Sequence, residues 1–203
     1  NYFVLSGKAY NFQYAWNPGG IFSPPTGAAV WIECLSASPG LECYDGPGNK
    51  MLTTPRTYAP IFGTAGSSRR WQWYGAMAHN SYAVLNPTNT VMSAQYRIYF
   101  GDAVTGAADA YSGYDDATIT LTWMVDPVIV VKTSRGGGLD TNSPMVHVDI
   151  VYDYGANQMR ATLDTNAATP RLLAMPAGYT FDSRSNYYVL NGKAYNYQYA
   201  WNP

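Results

Sequence analysis

Two cysteines, Cys34 and Cys43, stand close in the chain with Pro39-Gly40 between them. A proline–glycine pair reverses a chain, so the spacing predicts a local disulfide. Closing a loop of about ten residues this way contributes about 2–3 kcal/mol, and a bridge of that kind implies an oxidising, extracytoplasmic setting. Two buried free thiols are the alternative. Zinc is not expected, because there is no third cysteine and His79 and His147 are isolated. Asp102, Asp109, Asp115 and Asp116 are the other cluster of ligand-type atoms. Carboxylates so placed could donate oxygens to Ca²⁺, which takes about six to eight. Their spacing is not that of a helical calcium loop, and caps and turns use the same residue type. Calcium is thus the one cofactor the sequence raises; no other is expected.

Catalytic groupings are weaker. His147 and Asp149 lie two apart and share a strand face, but no strand–GxSxG–helix context accompanies them. Glu33 and Glu42 flank the cysteine loop, and Asp115-Asp116 are neighbours whose side chains would diverge on a strand. Glycoside hydrolysis needs two facing carboxylates at set separations, and neither pair is a specific signal for it. Gly136-Gly137-Gly138 lacks the lysine and helix of a phosphate loop. The chain is therefore read as non-enzymatic. Lys8 and Lys193 each follow a turn dipeptide. A lysine–asparagine cross-link of a surface fibre is one use of such a residue; an edge lysine that discourages wrong strand pairing is the other. Trp71 and Trp73 could stack on the apolar faces of sugars, with core packing as the alternative reading.

The elements that must carry these residues are announced by a repeat. Residues 1–18 read NYFVLSGKAYNFQYAWNP and residues 186–203 read NYYVLNGKAYNYQYAWNP, matching at fifteen of eighteen positions with a constant offset of 185. Asn191-Gly192 is a favoured two-residue hairpin turn, and Ser6-Gly7 is its weaker counterpart. The strand after the turn alternates. Tyr10, Phe12, Tyr14 and Trp16 form one face in the first copy, and Tyr195, Tyr197, Tyr199 and Trp201 in the second. Four rings amount to about 600–1,000 Å² of apolar surface, more than a monomer ordinarily leaves bare. Both copies therefore need cover, and both need a sheet to join. The reading is one structural unit over residues 1–185, with residues 186–203 opening a further repeat or serving as a donor strand for a neighbour. A closed domain with twin edge hairpins is the alternative.

Alternation marks further strands at residues 70–78, 91–100, 117–125 and 146–154, an apolar run marks one at 27–33, and 128–133, 159–163 and 171–175 are further candidates, separated by long links at 36–68, 102–116 and 134–144. Two Glu and four Lys, against 19 Gly and 13 Pro, argue against helices. The expected fold is all-β, a β-sandwich or jelly-roll-like domain with aromatic-rich N- and C-terminal hairpins.

Composition narrows the function. A net charge of −1 with dispersed basic residues gives no nucleic-acid or anionic-membrane footprint. No stretch approaches a membrane span. With 15% aromatic and only 12% charged residues the chain is not of disordered type. The expectation is a structural protein of an extracellular filament, sheath or surface layer, at the cell surface or beyond it. Its partners are copies of itself, met through the eight ring positions of the two ribbons. A glycan-binding β-sandwich module using Trp71 and Trp73 is the alternative.

Overall fold

A computed structural model describes residues 8–11, 13–45, 58–126, 146–164, 169–173, 180–182, 187–190 and 193–196. The expected strand at 128–133 and the long link at 134–144 lie outside them. The described residues form fifteen strands: β1 (Lys8–Asn11), β2 (Tyr14–Pro18), β3 (Ala28–Ala37), β4 (Leu41–Asp45), β5 (Ala59–Ile61), β6 (Arg70–Trp73), β7 (Ala78–Leu85), β8 (Val91–Asp102), β9 (Ala117–Asp126), β10 (Val146–Asp153), β11 (Gln158–Leu163), β12 (Arg171–Leu173), β13 (Thr180–Asp182), β14 (Tyr187–Leu190) and β15 (Lys193–Asn196). The protein is an all-β sandwich, as its alternating segments imply.

One layer runs β6-β3-β8-β9-β12-β1 and the other β11-β10-β2-β7, with β4 and β5 continuing beyond β7. Most neighbours are antiparallel, whereas β10–β2 and β12–β9 are parallel. The layers meet through large rings. Trp16 on β2 lies edge-on to Tyr96 on β8 at 5.4 Å, Tyr14 to Trp123 on β9 at 5.2 Å, and Tyr152 on β10 to Phe100 on β8 at 5.1 Å. Around them pack Ile32, Ile98, Leu121, Val148 and Ile150, all fully buried. Each such side chain contributes about 1.5–3 kcal/mol by leaving water. The alternation read from β8 and β10 holds: Met92, Ala94, Tyr96, Ile98 and Phe100 face inward, as do Val146, Val148, Ile150 and Tyr152.

Two departures bear on function. The segment 70–78 is not one strand: β6 ends at Trp73, Gly75 turns with φ +77, and β7 opens at Ala78. Only a residue without Cβ takes that φ readily. β7 has no counterpart among the alternating segments of the sequence, and it is the strand on which the N-terminal ribbon lies. In the C-terminal copy the two flanking strands pair as expected, and the Asn191-Gly192 dipeptide between them lies outside the described residues. β14 pairs with β15, Leu190 opposite Lys193, and β13 adds on the other side of β14. These three strands make a separate sheet.

Candidate functional site

The N-terminal ribbon is built into the sandwich on both of its edges. β1 lies against β7, Lys8 opposite Leu85 and Asn11 opposite Tyr82, while its other edge meets β12 at Tyr10–Leu173. β2 lies against the start of β7, Trp16 opposite Ala78, and on its far side runs parallel to β10. The register slips by one residue between these halves, so the ribbon crosses from one layer to the other at a bulge between Asn11 and Tyr14.

Polar side chains make that bulge. The Asn11 Oδ1 accepts from the Gln13 backbone N–H at 2.9 Å, the Asn11 Nδ2 donates to Gln13 Oε1 at 2.6 Å, and the same amide donates to the Arg171 carbonyl at 3.0 Å. Both side chains are buried, 5% and 6% exposed. Their hydrogen bonds stand in for the ladder pairing that a bend in a strand interrupts. A one-residue slip turns every following side chain to the other face. The consequence corrects the sequence reading of four rings on one face. Ala9 packs in the central cluster beside Val84, whereas Tyr10, also buried, points away from that cluster opposite Ala83. After the bulge Tyr14 and Trp16 face the core. Phe12 lies outside the described residues. Burial raises the Tyr14 phenol above its usual 10.0, against the opposing pull of the Thr122 backbone N–H, which donates to the phenol oxygen at 3.3 Å.

Both ends of the ribbon are pinned. At the start, the Lys8 ammonium meets the Glu42 carboxylate, reaches the Tyr44 hydroxyl at 3.0 Å and sits 5.3 Å from that ring's centre. The Tyr44 hydroxyl in turn donates to the same Glu42 oxygen at 2.6 Å. Burial works against the Lys8 charge, but the bonds to Glu42 and Tyr44 outweigh it and hold the ammonium above its ordinary 10.5. At the exit, Asn17 Nδ2 donates to Asp149 at 2.8 Å and the Gly19 N–H to the Ile150 carbonyl at 2.9 Å. A Cβ on Gly19 would come within 2.7 Å of Val151, so only glycine passes there without a shift.

The other sequence-selected residues are placed as follows. Cys34 and Cys43 are buried free thiols, which corrects the expected disulfide. The Pro39-Gly40 turn does not join β3 and β4 as a paired hairpin. β3 pairs with β8 and β6 while β4 pairs with β7 and β5, so Cys34 stands opposite Tyr96 and Cys43 opposite Tyr82. Burial pushes both thiols up, Cys43 far above the usual 9.0. Asp102 caps its own turn, accepting from the Val104 and Thr105 amides and the Thr105 hydroxyl, and these bonds lower its pKa. Asp116 is paired with Arg97, Asp109 lies exposed in a short helical turn, and Asp115 contributes its backbone to residues 157 and 159. Among the described residues no group of three or more His, Cys, Asp or Glu is placed to hold a metal ion.

His147 bonds Asp164 at 3.0 Å, while Asp149 holds Asn17, so the two are not coupled through each other in a catalytic pair. Glu33 lies between Arg70 at 3.3 Å and Arg97 at 3.9 Å. Trp73 is 2% exposed and donates its N–H to the Ala76 carbonyl; Trp71 is half-buried against Phe62. The outward residues of that edge, Gln72 and Tyr74, border a groove of about 840 Å³ with Pro18, Phe22 and Trp73 in its wall. Tyr195 lies on β15, and Tyr197, Tyr199 and Trp201 are outside the described residues. Among the described residues no helix is long and apolar enough to cross a membrane. No protein-family model, curated protein or solved structure matches the chain significantly.

Proposed function

We propose that this chain is a non-enzymatic structural unit of an extracellular filament, sheath or surface layer, joined end to end through its repeated aromatic ribbons. In this reading residues 193–203 take, in the adjoining unit, the slot that residues 8–18 fill here, by strand addition between chains or as tandem repeats. One observation carries it. The slot accepts a peptide that recurs with one change, Phe12 to Tyr197, at the other end of the chain, and the recurring copy begins in a sheet separate from the sandwich. Main-chain pairing on both edges supplies affinity, and the pockets for Tyr14 and Trp16 supply cover for rings that water disfavours. A head-to-tail contact of this type propagates into fibres unless its rotation closes a ring.

The test compares the full chain with its Tyr199→Asp/Trp201→Asp variant, by light scattering over a concentration series and by electron microscopy. Wild type is expected to form linear assemblies. The variant is expected to remain monomeric with an unchanged urea midpoint. Assemblies of equal length in both proteins, or a wild type that stays monomeric at every concentration, would overturn the reading.

A further inference from the structure

We infer that Glu42 and Tyr44 are the residues that select and register the incoming ribbon, and that their partner in assembly is Lys193 of a second copy. This rests on the ribbon-exchange reading above and adds to it the residues that make the exchange specific.

Strand addition has a register problem. Its main-chain hydrogen bonds are the same at every position along a strand. The ring positions recur every two residues, at 10, 12, 14 and 16 and again at 195, 197, 199 and 201. A slip of two residues sets ring in place of ring, Phe12 or Tyr197 at the place of Tyr14 and Tyr14 or Tyr199 at that of Trp16. The aromatic pattern therefore supplies contact area but discriminates poorly between registers. Each ribbon carries a single charged side chain, Lys8 in residues 1–18 and Lys193 in residues 186–203. A lone charge has no substitute two residues away.

The slot has a matching feature at that one position. Glu42 and Tyr44 lie on β4, whose residues stand across β7 from the ribbon: Glu42 is opposite Ala83, and Ala83 is opposite Tyr10. Their polar ends converge on the Lys8 ammonium in a closed triangle of carboxylate, phenol and amine. The side chains of Lys8 and Glu42 are only 15% and 30% exposed. A ribbon seated two residues out of register would strand Glu42 half-buried with no cation, an arrangement disfavoured more strongly than at an open surface. Lys193 heads the strand Lys193–Asn196, as Lys8 heads Lys8–Asn11, and the residues after it repeat the bulge-forming Asn and Gln as Asn196 and Gln198. The second ribbon thus carries the whole set of groups that the slot engages in the first.

A charge-swap cycle on the full chain tests this. Lys193→Glu lies outside the sandwich, so its urea midpoint should match wild type, while the concentration for half-assembly should rise by about ten-fold or more. Lys8→Glu/Glu42→Lys reverses the internal pair and should lose assembly with the native Lys193. The triple variant Lys8→Glu/Glu42→Lys/Lys193→Glu should regain it. Trp201→Asp separates this inference from its parent. If Trp201→Asp abolishes assembly and Lys193→Glu leaves it unchanged, exchange stands and the charge selection is refuted. If neither alters assembly, the exchange itself falls. Should the reversed internal pair fail to fold, the effect of Lys193→Glu alone still decides.

Discussion

Replacing Trp16 by Ala tests which copy of the repeated ribbon occupies the slot. Trp16 is 1% exposed and packs edge-on against Tyr96 with ring planes 80° apart. A buried indole removes about 150–250 Å² from water, which at about 25 cal/mol per Å² amounts to about 4–6 kcal/mol. Alanine keeps a small part of this. The substitution also removes an indole N–H that has no hydrogen-bond partner among the described residues, a group that disfavours the folded state by about 1–3 kcal/mol. The expected net loss is therefore about 2–4 kcal/mol, at the lower end of the usual Trp→Ala range. Urea unfolding with a slope of about 2 kcal/mol per M translates this into a midpoint lower by about 1–2 M. Trp16→Phe, which retains a ring and deletes the orphan donor, should lose about 1 kcal/mol. Trp201→Ala in the monomeric protein should stay within about 0.5 kcal/mol of wild type. A fall in midpoint for Trp201→Ala, with none for Trp16→Ala, would place the C-terminal ribbon in its own chain's slot and refute the assignment.

Stability should also decline in alkali. Burial pushes the Cys43 thiol far above 9.0 and the Tyr82 and Tyr96 phenols far above 10.0, so the folded state keeps protons that the unfolded chain releases first. Their contribution is whole below the ordinary values and is lost as pH rises past them. The urea midpoint should drop between about pH 8.5 and 10.5, and a flat or rising profile would contradict the burial of these groups. Gly101→Ala should destabilise by about 1–3 kcal/mol, because its Cβ would lie 2.9 Å from the Gly106 carbonyl oxygen and 3.0 Å from the Trp31 ring. That turn is fixed from both sides, by Trp31 donating to the Asp102 carbonyl and Tyr99 to the Gly106 carbonyl. An unchanged midpoint would show that the turn yields without loss.

What can be read from the residues follows their physics. β8, β9 and β10 alternate cleanly because one face meets the opposite layer and the other does not, and period two survives in the sequence. β7 is illegible because it is buried on both faces and polar in its middle. Asn80 and Ser81 are fully buried, yet their residue types signal a turn. The ribbon is legible as an aromatic strand seeking cover, but its pattern suggests one unbroken face. Asn11 and Gln13 look like the solvent side of an alternating strand. They are instead the buried amides that bend it, a role visible only once Gln13 and Arg171 are seen to supply the partners. In the sequence Glu42 is a carboxylate near a cysteine loop; its partner Lys8 lies 34 residues away, and only β7 between them makes the pair.

The same four residues, Lys-Ala-Tyr-Asn, have different partners at the two ends of one molecule: β7 and β12 for the first copy, β14 for the second. Ribbon sequence alone therefore does not choose its neighbour. With ten of eleven residues shared between 8–18 and 193–203, exchanging one ribbon for the other changes the contact energy little. The balance is then set by effective concentration, and a chain's own N-terminal ribbon enjoys about millimolar advantage over a free competitor. Assembly by displacement is thus expected to need high protein concentration or a slot that forms around the incoming ribbon as its unit folds. Once seated, the ribbon is held by two paired edges, a buried bulge and a half-buried ion pair, and its release requires opening both layers of the sandwich. Joints made this way would persist because the barrier to leaving is high, even where the equilibrium preference over the native ribbon is slight.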